Sequence, residues 1–166
     1  MSERSTTMNL EGSDASRWSW EKVADIDKTQ IDSEYRAMRD ETRLIPQEAG
    51  AQPERAPRDA TYFALTHKTA SYGFISFSKE HDGRLCAQNL WIAPQVRGNP
   101  TIWRQLLNCS IAYATEHGVD TLYARTSFSN TQAQGIYEKL ASKRTVDMRL
   151  GHIEYTIPVD NMRRYV

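Results

Sequence analysis

The sequence carries no surplus of charge of either sign: 21 basic and 21 acidic residues leave a formal net charge of zero over 166 residues. That balance argues against a chain-wide basic face for nucleic acid, while permitting a local patch. Long hydrophobic runs are also missing. No apolar stretch approaches the roughly 20 residues that a bilayer requires, and the N-terminus lacks the apolar core of a signal peptide. A cytoplasmic protein without a membrane partner is therefore expected. Cysteine is scarce: Cys86 and Cys109 have no His at ligand spacing, so two buried reduced thiols are a simpler account than a disulfide or a metal pair. His67, His81, His117 and His152 form neither an H-x-H nor an H-x-x-x-H pair, and no metal is expected.

What is present fits one domain with a full core. Residues 1–16 are rich in Ser, Thr and charge and read as a mobile tail, leaving 17–166 as the domain. Trp18-Ser19-Trp20 opens a short alternating strand. From Lys28 to Ile45 the residues Ile31, Tyr35, Met38 and Ile45 recur at helical spacing, and Pro46 closes the pattern. "QEAGAQPERAPR" (47–58) is loop by composition. "TYFALTH" (61–67), "SYGFISFS" (71–78) and "LCAQNLWI" (85–92), with the turn "HDG" before the last, form an antiparallel meander. Trp103, Leu106, Leu107, Ile111 and Ala114 then keep helical spacing up to a C-capping Gly118, and "VDTLYART" (119–126) is a strand again. Strand, helix, strand makes those two strands parallel. A further helix starts near Asn130 with Ala133, Ile136, Tyr137 and Leu140 on one face, and residues 144–159 form a hairpin around Gly151. The order β-α-β-β-β-α-β-α-β-β predicts an α/β architecture, a mixed sheet of six or seven strands with about four helices on its faces.

The stretch "QVRGNPTIWRQLL" (95–107) joins the third meander strand to its helix. The first N–H groups of a helix lack intrahelical acceptors and converge on an anion with the helix dipole behind them. Pro100 removes one such donor, yet Asn followed by Pro is also a clean helix start.

From about Tyr62 to Val159, and more loosely from Trp18, the chain resembles the GNAT superfamily of CoA-dependent N-acetyltransferases, which share this element order. Their strand-to-helix turn carries [Q/R]-x-x-G-x-[G/A]; "QVRGNP" keeps Gln95 and Gly98 but has Pro100 at the last position. An alignment from Pro94 instead puts Arg97-Gly98 in the family's Arg-Gly place. Both alignments set Gly98 and Asn99 at the CoA phosphates. The family's N-x-x-A-x-x-x-Y pattern is matched by Asn130, Ala133 and Tyr137.

The resemblance implies acetyl-CoA as co-substrate, with Gln95, Arg97, Gly98, Asn99 and Thr101 at the phosphates and Asn130 beside the CoA arm. The backbone of Trp91, Ile92 and Ala93 would pair with the pantetheine. It makes Tyr137 the group that protonates the departing sulfur, although the same periodicity predicts a packed aromatic there. Gln88 and Asn89 stand where some members place a Glu, and neither accepts a proton at neutral pH. Glu80, His81, His67 and Glu154 are substitute bases, and each also reads as an exposed turn or strand residue. The implied activity is acetyl transfer to an amine by direct attack in a ternary complex, the acceptor being a small molecule or a protein amine. A homodimer is compatible with this. Pro100, the lost glycines and Ala141-Ser142, where the family often has Gly-Phe, motivate the alternative of a binding or regulatory module. An acyltransferase acting on a nucleic-acid-linked amine is a third reading. Arg55, Arg58 and Arg149 could meet an acidic substrate or simply be solvated.

Overall fold

Side chains that alternate along a strand need one face on a core, and "TLYARTS" and "HIEYTIP" each alternate half-buried and buried along their whole length. The structure, a computed structural model, describes residues 17–24, 29–42 and 59–166. The expected tail at 1–16, the helix ends at Lys28 and at Ile45-Pro46, and the loop 47–58 with Arg55 and Arg58 lie outside the described residues. Among the described residues the strands are β1 (Trp18–Lys22), β2 (Thr61–His67), β3 (Ala70–Lys79), β4 (Leu85–Ile92), β5 (Thr121–Ser127), β6 (Lys143–Asp147) and β7 (His152–Pro158). The helices are α1 (Thr29–Thr42), α2 (Pro100–Glu116), α3 (Thr131–Leu140) and α4 (Val159–Arg163). None is long and apolar enough to cross a membrane.

The strands form one seven-stranded sheet in the order β1-β2-β3-β4-β5-β7-β6. Every pairing is antiparallel except β4 with β5, which the α2 crossover makes parallel. The sheet thus has the mixed character read from the sequence. On one face α1 buries Ile31, Tyr35 and Met38 against Tyr62, Phe74 and Trp91. On the other, Ile102 and Leu106 of α2, Ala133 and Tyr137 of α3 and Met162 of α4 share a core with Ile75, Leu90 and Tyr155. The terminal α4 has no counterpart in the sequence reading, which ran the last strand through Val159; Val159 instead turns inward as the first residue of a helix.

Two local features shape the molecule around β4. Gly118, at φ 67°, ends α2 with Val119 N–H donating to Ala114 O and Gly118 N–H to Thr115 O, the paired bonds of a Schellman cap, so β5 starts at Thr121 rather than at 119. In β4, Asn89 takes φ 52° and the β3 register slips between Phe74 and Ser76, so β4 carries an extra residue. Ser76, buried, fixes this bulge by donating Oγ–H to Gln88 O at 2.9 Å.

Candidate active site at the end of the parallel strands

The parallel ladder stops early. Leu85, Cys86 and Ala87 pair with Leu122, Tyr123 and Ala124, and beyond the bulge β4 and β5 part. Ala93 N–H donates to Tyr72 O on the β3 side, so by strand alternation Leu90 and Ile92 turn their backbone groups toward the gap. Side chains meet both carbonyls. Asn130 Nδ2 donates to Leu90 O at 3.3 Å, and Arg97 Nε donates to Ile92 O at 2.8 Å.

Asn130 therefore serves twice, since its Oδ1 also accepts from Ala133 N–H at 3.2 Å and starts α3. Tyr137, two turns further on, is 5% exposed, and its hydroxyl has no hydrogen-bond partner among the described residues. Burial, with Cys86 and Tyr155 nearby, holds that hydroxyl far above the ordinary tyrosine range, so it keeps its proton. Tyr137 is the packed aromatic that its periodicity predicts, with its ring centroid 5.6 Å from that of Tyr155.

The turn from β4 to α2 is a 3-10 segment over Pro94–Val96 followed by the helix start. Asn99 caps α2, its Oδ1 accepting from Thr101 N–H at 2.9 Å, and Pro100 is the first helical residue. Pro100 thus removes one anion donor and the Asn99 side chain occupies another. Trp103 Nε1–H donates to Arg97 O at 2.8 Å. Arg97 itself is drawn inward: besides Ile92 O it contacts Glu41 at 2.5 Å, and the second oxygen of Glu41 accepts from Trp91 Nε1 at 3.0 Å. Gly98 is exposed, and a Cβ built on it would meet nothing within 4 Å. Gln95 and Thr101 are exposed beside it, while Trp91, Ile92 and Ala93 are buried, and of these three only Ile92 turns its backbone to the gap, since Ala93 N–H is spent on Tyr72 O and strand alternation puts Trp91 on the same β3 side. Between α2 and α3 an apolar groove of about 360 Å³ runs on from the turn, lined by Pro100, Trp103, Leu107 and Ile136 with Arg104 and Lys139 at its rim.

On the opposite face a second cavity of about 170 Å³ lies between α1, the bulge, β5 and β7, with Gln88, Asn89, Arg125, Asn130 and His152 in its wall. A larger hollow of about 680 Å³, lined by Asp82, Arg84 and Asp160 among others, sits at the far end of the strands, away from Gly98 and Tyr137.

The expected bases scatter. His67 stacks on Trp18 at 4.4 Å, remote from the gap, and His81 is exposed in the β3–β4 turn. Glu80 pairs with Arg125 at 3.2 Å. Glu154 accepts from Arg84 Nη1 at 2.9 Å and from Arg125 Nη2 at 2.8 Å. Burial pushes its carboxyl up, but these two hydrogen bonds outweigh it and hold the group below the ordinary carboxylate range, an unfavourable state for a base. His152, which the sequence reading did not single out, lines the cavity. The available signal was its place on the same face of β7 as Glu154. Arg39 was missed as well, although it falls at the edge of the Tyr35 and Met38 stripe where an apolar residue is the norm. Cys86 and Cys109 are free thiols, and burial pushes Cys109 up to about 12. Among the described residues no group of three His, Cys, Asp or Glu could hold a metal.

The model of the acetyltransferase (GNAT) domain matches residues 10–143 of this chain. No curated protein matches it. Solved structures are similar over most of their length. Diaminobutyrate acetyltransferase of Paenibacillus lautus, in complex with L-2,4-diaminobutyric acid and coenzyme A, superposes with a TM-score of 0.63 at 16% identity, covering 86% of this chain and 95% of that one. For yncA of Salmonella typhimurium, with its cofactor acetyl-CoA, the values are 0.62, 15%, 86% and 94%. For FeeM, an N-acyl amino acid synthase from uncultured soil microbes, they are 0.59, 15%, 90% and 95%. At these identities the likeness is one of fold.

Proposed function

Because the chain belongs to the GNAT family of acetyltransferases, we propose that it transfers an acetyl group from acetyl-CoA to a primary amine by direct attack in a ternary complex. The observation that carries this reading is the Tyr137 hydroxyl: buried, protonated and without a partner among the described residues, on the helix whose N-cap Asn130 donates to Leu90 O at the gap. A buried donor left unpaired costs about 1–3 kcal/mol, and an acceptor arriving in the gap would remove that cost.

The residues suit the donor. Gly98 leaves open space for a phosphate against the backbone, and the Leu90 and Ile92 N–H groups face the gap for an extended arm. The groove between α2 and α3 offers an apolar floor for a nucleotide, with Arg104 and Lys139 for its charge. When bound, acetyl-CoA supplies a thioester whose carbonyl carbon takes the amine and whose sulfur leaves. The chain's groups then divide the work. Gln88 and Asn89, held in the bulge, orient the amine, and His152 accepts its proton through a ring nitrogen, directly or through one water. As the C–N bond forms and the C–S bond breaks, Tyr137 gives its proton to the sulfur and is reprotonated from solvent.

A second reading, a module that binds but does not turn over, draws on the capped Thr101 N–H and on the engagement of Arg97 by Glu41. Calorimetry separates the two. The enzyme reading expects acetyl-CoA to bind in the micromolar range and thiol to be released with an amine present, whereas no binding at millimolar ligand would sink it. Gly98→Ala sharpens this test. The site has free space and no positive φ, so stability should stay within about 0.5 kcal/mol of the parent. A methyl between backbone and phosphate should weaken acetyl-CoA binding by roughly tenfold, about 1.4 kcal/mol. Unchanged affinity would move the phosphates away from Gly98.

A further inference from the structure

The 170 Å³ cavity on the α1 face carries more chemistry than an arbitrary amine needs. Among the described residues its wall contains Arg39, Arg125 and His152 and no Asp or Glu. Arg125 is part of a charge-balanced chain, with Nη1 on Glu80 and Nη2 on Glu154, yet its Nε is buried and has no hydrogen-bond partner. Arg39, from the last turn of α1, likewise has a buried Nε with no partner among the described residues, and no ion pair offsets its charge there. Two guanidinium side chains therefore line one small cavity, and of the two only Arg39 has no acidic partner among the described residues.

We infer that the acceptor of this enzyme is an amino-acid-like primary amine whose carboxylate is held by the guanidinium of Arg39 at this cavity. The inference rests on the acetyltransferase reading above and names its substrate class. A guanidinium N–H cannot be relieved by losing its proton, so only an acceptor atom satisfies it. A carboxylate brings two such atoms and the charge that Arg39 lacks, in the geometry that guanidinium recognises best. A polyamine or other acceptor with further cationic groups would meet two guanidinium groups and, among the described residues of the wall, no carboxylate. Size points the same way: 170 Å³ is below the roughly 300–1,000 Å³ of clefts that take drug-sized ligands, which suits a molecule of amino-acid dimensions. With the carboxylate anchored on the α1 side, the amine falls toward Gln88, Asn89 and Asn130, next to the gap where β4 and β5 part.

The test uses the full chain saturated with non-acylated CoA. Saturation-transfer NMR and calorimetry compare L-alanine, L-serine and L-methionine with their carboxamides, and alanine with its aminophosphonate analogue. The acids should bind at least tenfold more tightly than the carboxamides and the aminophosphonate. Arg39→Gln should lower binding of the acids at least tenfold while leaving the carboxamides unchanged, and Arg39→Lys should restore part of the loss. Equal binding of acids and carboxamides, preference for the phosphonate, binding of neither class, or acids insensitive to Arg39→Gln would each overturn the inference. Acetyl-CoA affinity measured on CoA-free portions of the same preparations separates the two readings. Acids bound without acetyl-CoA would defeat the enzyme reading alone, and acetyl-CoA bound without acids would defeat the substrate class alone.

Discussion

Replacing Tyr137 by Phe should cut turnover by about 10²- to 10³-fold and, in the same protein, raise the melting temperature of the ligand-free form. The two effects share one cause. The hydroxyl is buried with no partner, so deleting it removes an unsatisfied donor worth about 1–3 kcal/mol to the ligand-free protein, less the packing of one oxygen. For a chain of this length each kcal/mol moves the midpoint by about 2–4 °C. Loss of a positioned proton donor typically costs roughly 10²–10⁴ in rate. Acetyl-CoA affinity should change little, because the hydroxyl serves the departing sulfur rather than the nucleotide. Steady-state kinetics, calorimetry and a thermal melt on one preparation give all three numbers. Full activity would remove Tyr137 from the mechanism, and a large fall in melting temperature would mean that the hydroxyl has a partner in the folded protein.

Gly73→Ala should be the most damaging single methyl in the sheet. A Cβ on Gly73 would lie 2.5 Å from Trp91 O and 3.0 Å from Ile92 Cα, both backbone atoms of the facing strand that cannot swing aside. The sheet must open or slide there, at a cost of about 2–3 kcal/mol, or roughly 5–10 °C in melting temperature. The displaced residues carry the gap-facing backbone, so acetyl-CoA affinity should fall with stability. Gly135→Ala is the control. That glycine lies within α3 with nothing within 4 Å of a built Cβ, and the exchange should stabilise by about 0.5–1 kcal/mol. If Gly73→Ala melted with the parent, the tight β3–β4 approach would not exist in solution.

Local periodicity explains why most of the fold could be read from the chain. Ile31, Tyr35 and Met38 are buried as their spacing demands, Gly118 closes α2, and the parallel pair follows from strand, helix, strand. The second motif placed Asn130 at a helix start and Tyr137 on its inner face, and both are there. What stayed hidden depends on contacts between distant segments. Nothing near Asn89 announces a positive φ; the bulge comes from the β3 register and Ser76. Arg97 reads as a phosphate ligand from its own neighbours, but its partner Glu41 belongs to α1. Arg39 and His152 come from opposite ends of the chain and share a cavity only once β7 is inserted beside β5. Glu154 reads as a base from its own strand, but Arg84 and Arg125, which bind its carboxylate, come from distant segments.

The early end of the β4–β5 ladder also bears on how the molecule opens. Only three residue pairs join the antiparallel block β1 to β4 with the block of β5, β7 and β6, and the crossover between them is long in sequence. Contacts that close long loops form late in folding, and the least-paired line of a sheet is where partial opening requires the least free energy. Amides bonded across Leu85–Ala87 and Leu122–Ala124 should therefore exchange with solvent faster than those of the β2–β3 ladder, and bound acetyl-CoA should slow them. Equal protection in both ladders would mean that the sheet opens only as a whole. With faster exchange at β4–β5, the proposed acetyl donor acts as an eighth strand that enters along the line at which the protein otherwise comes apart.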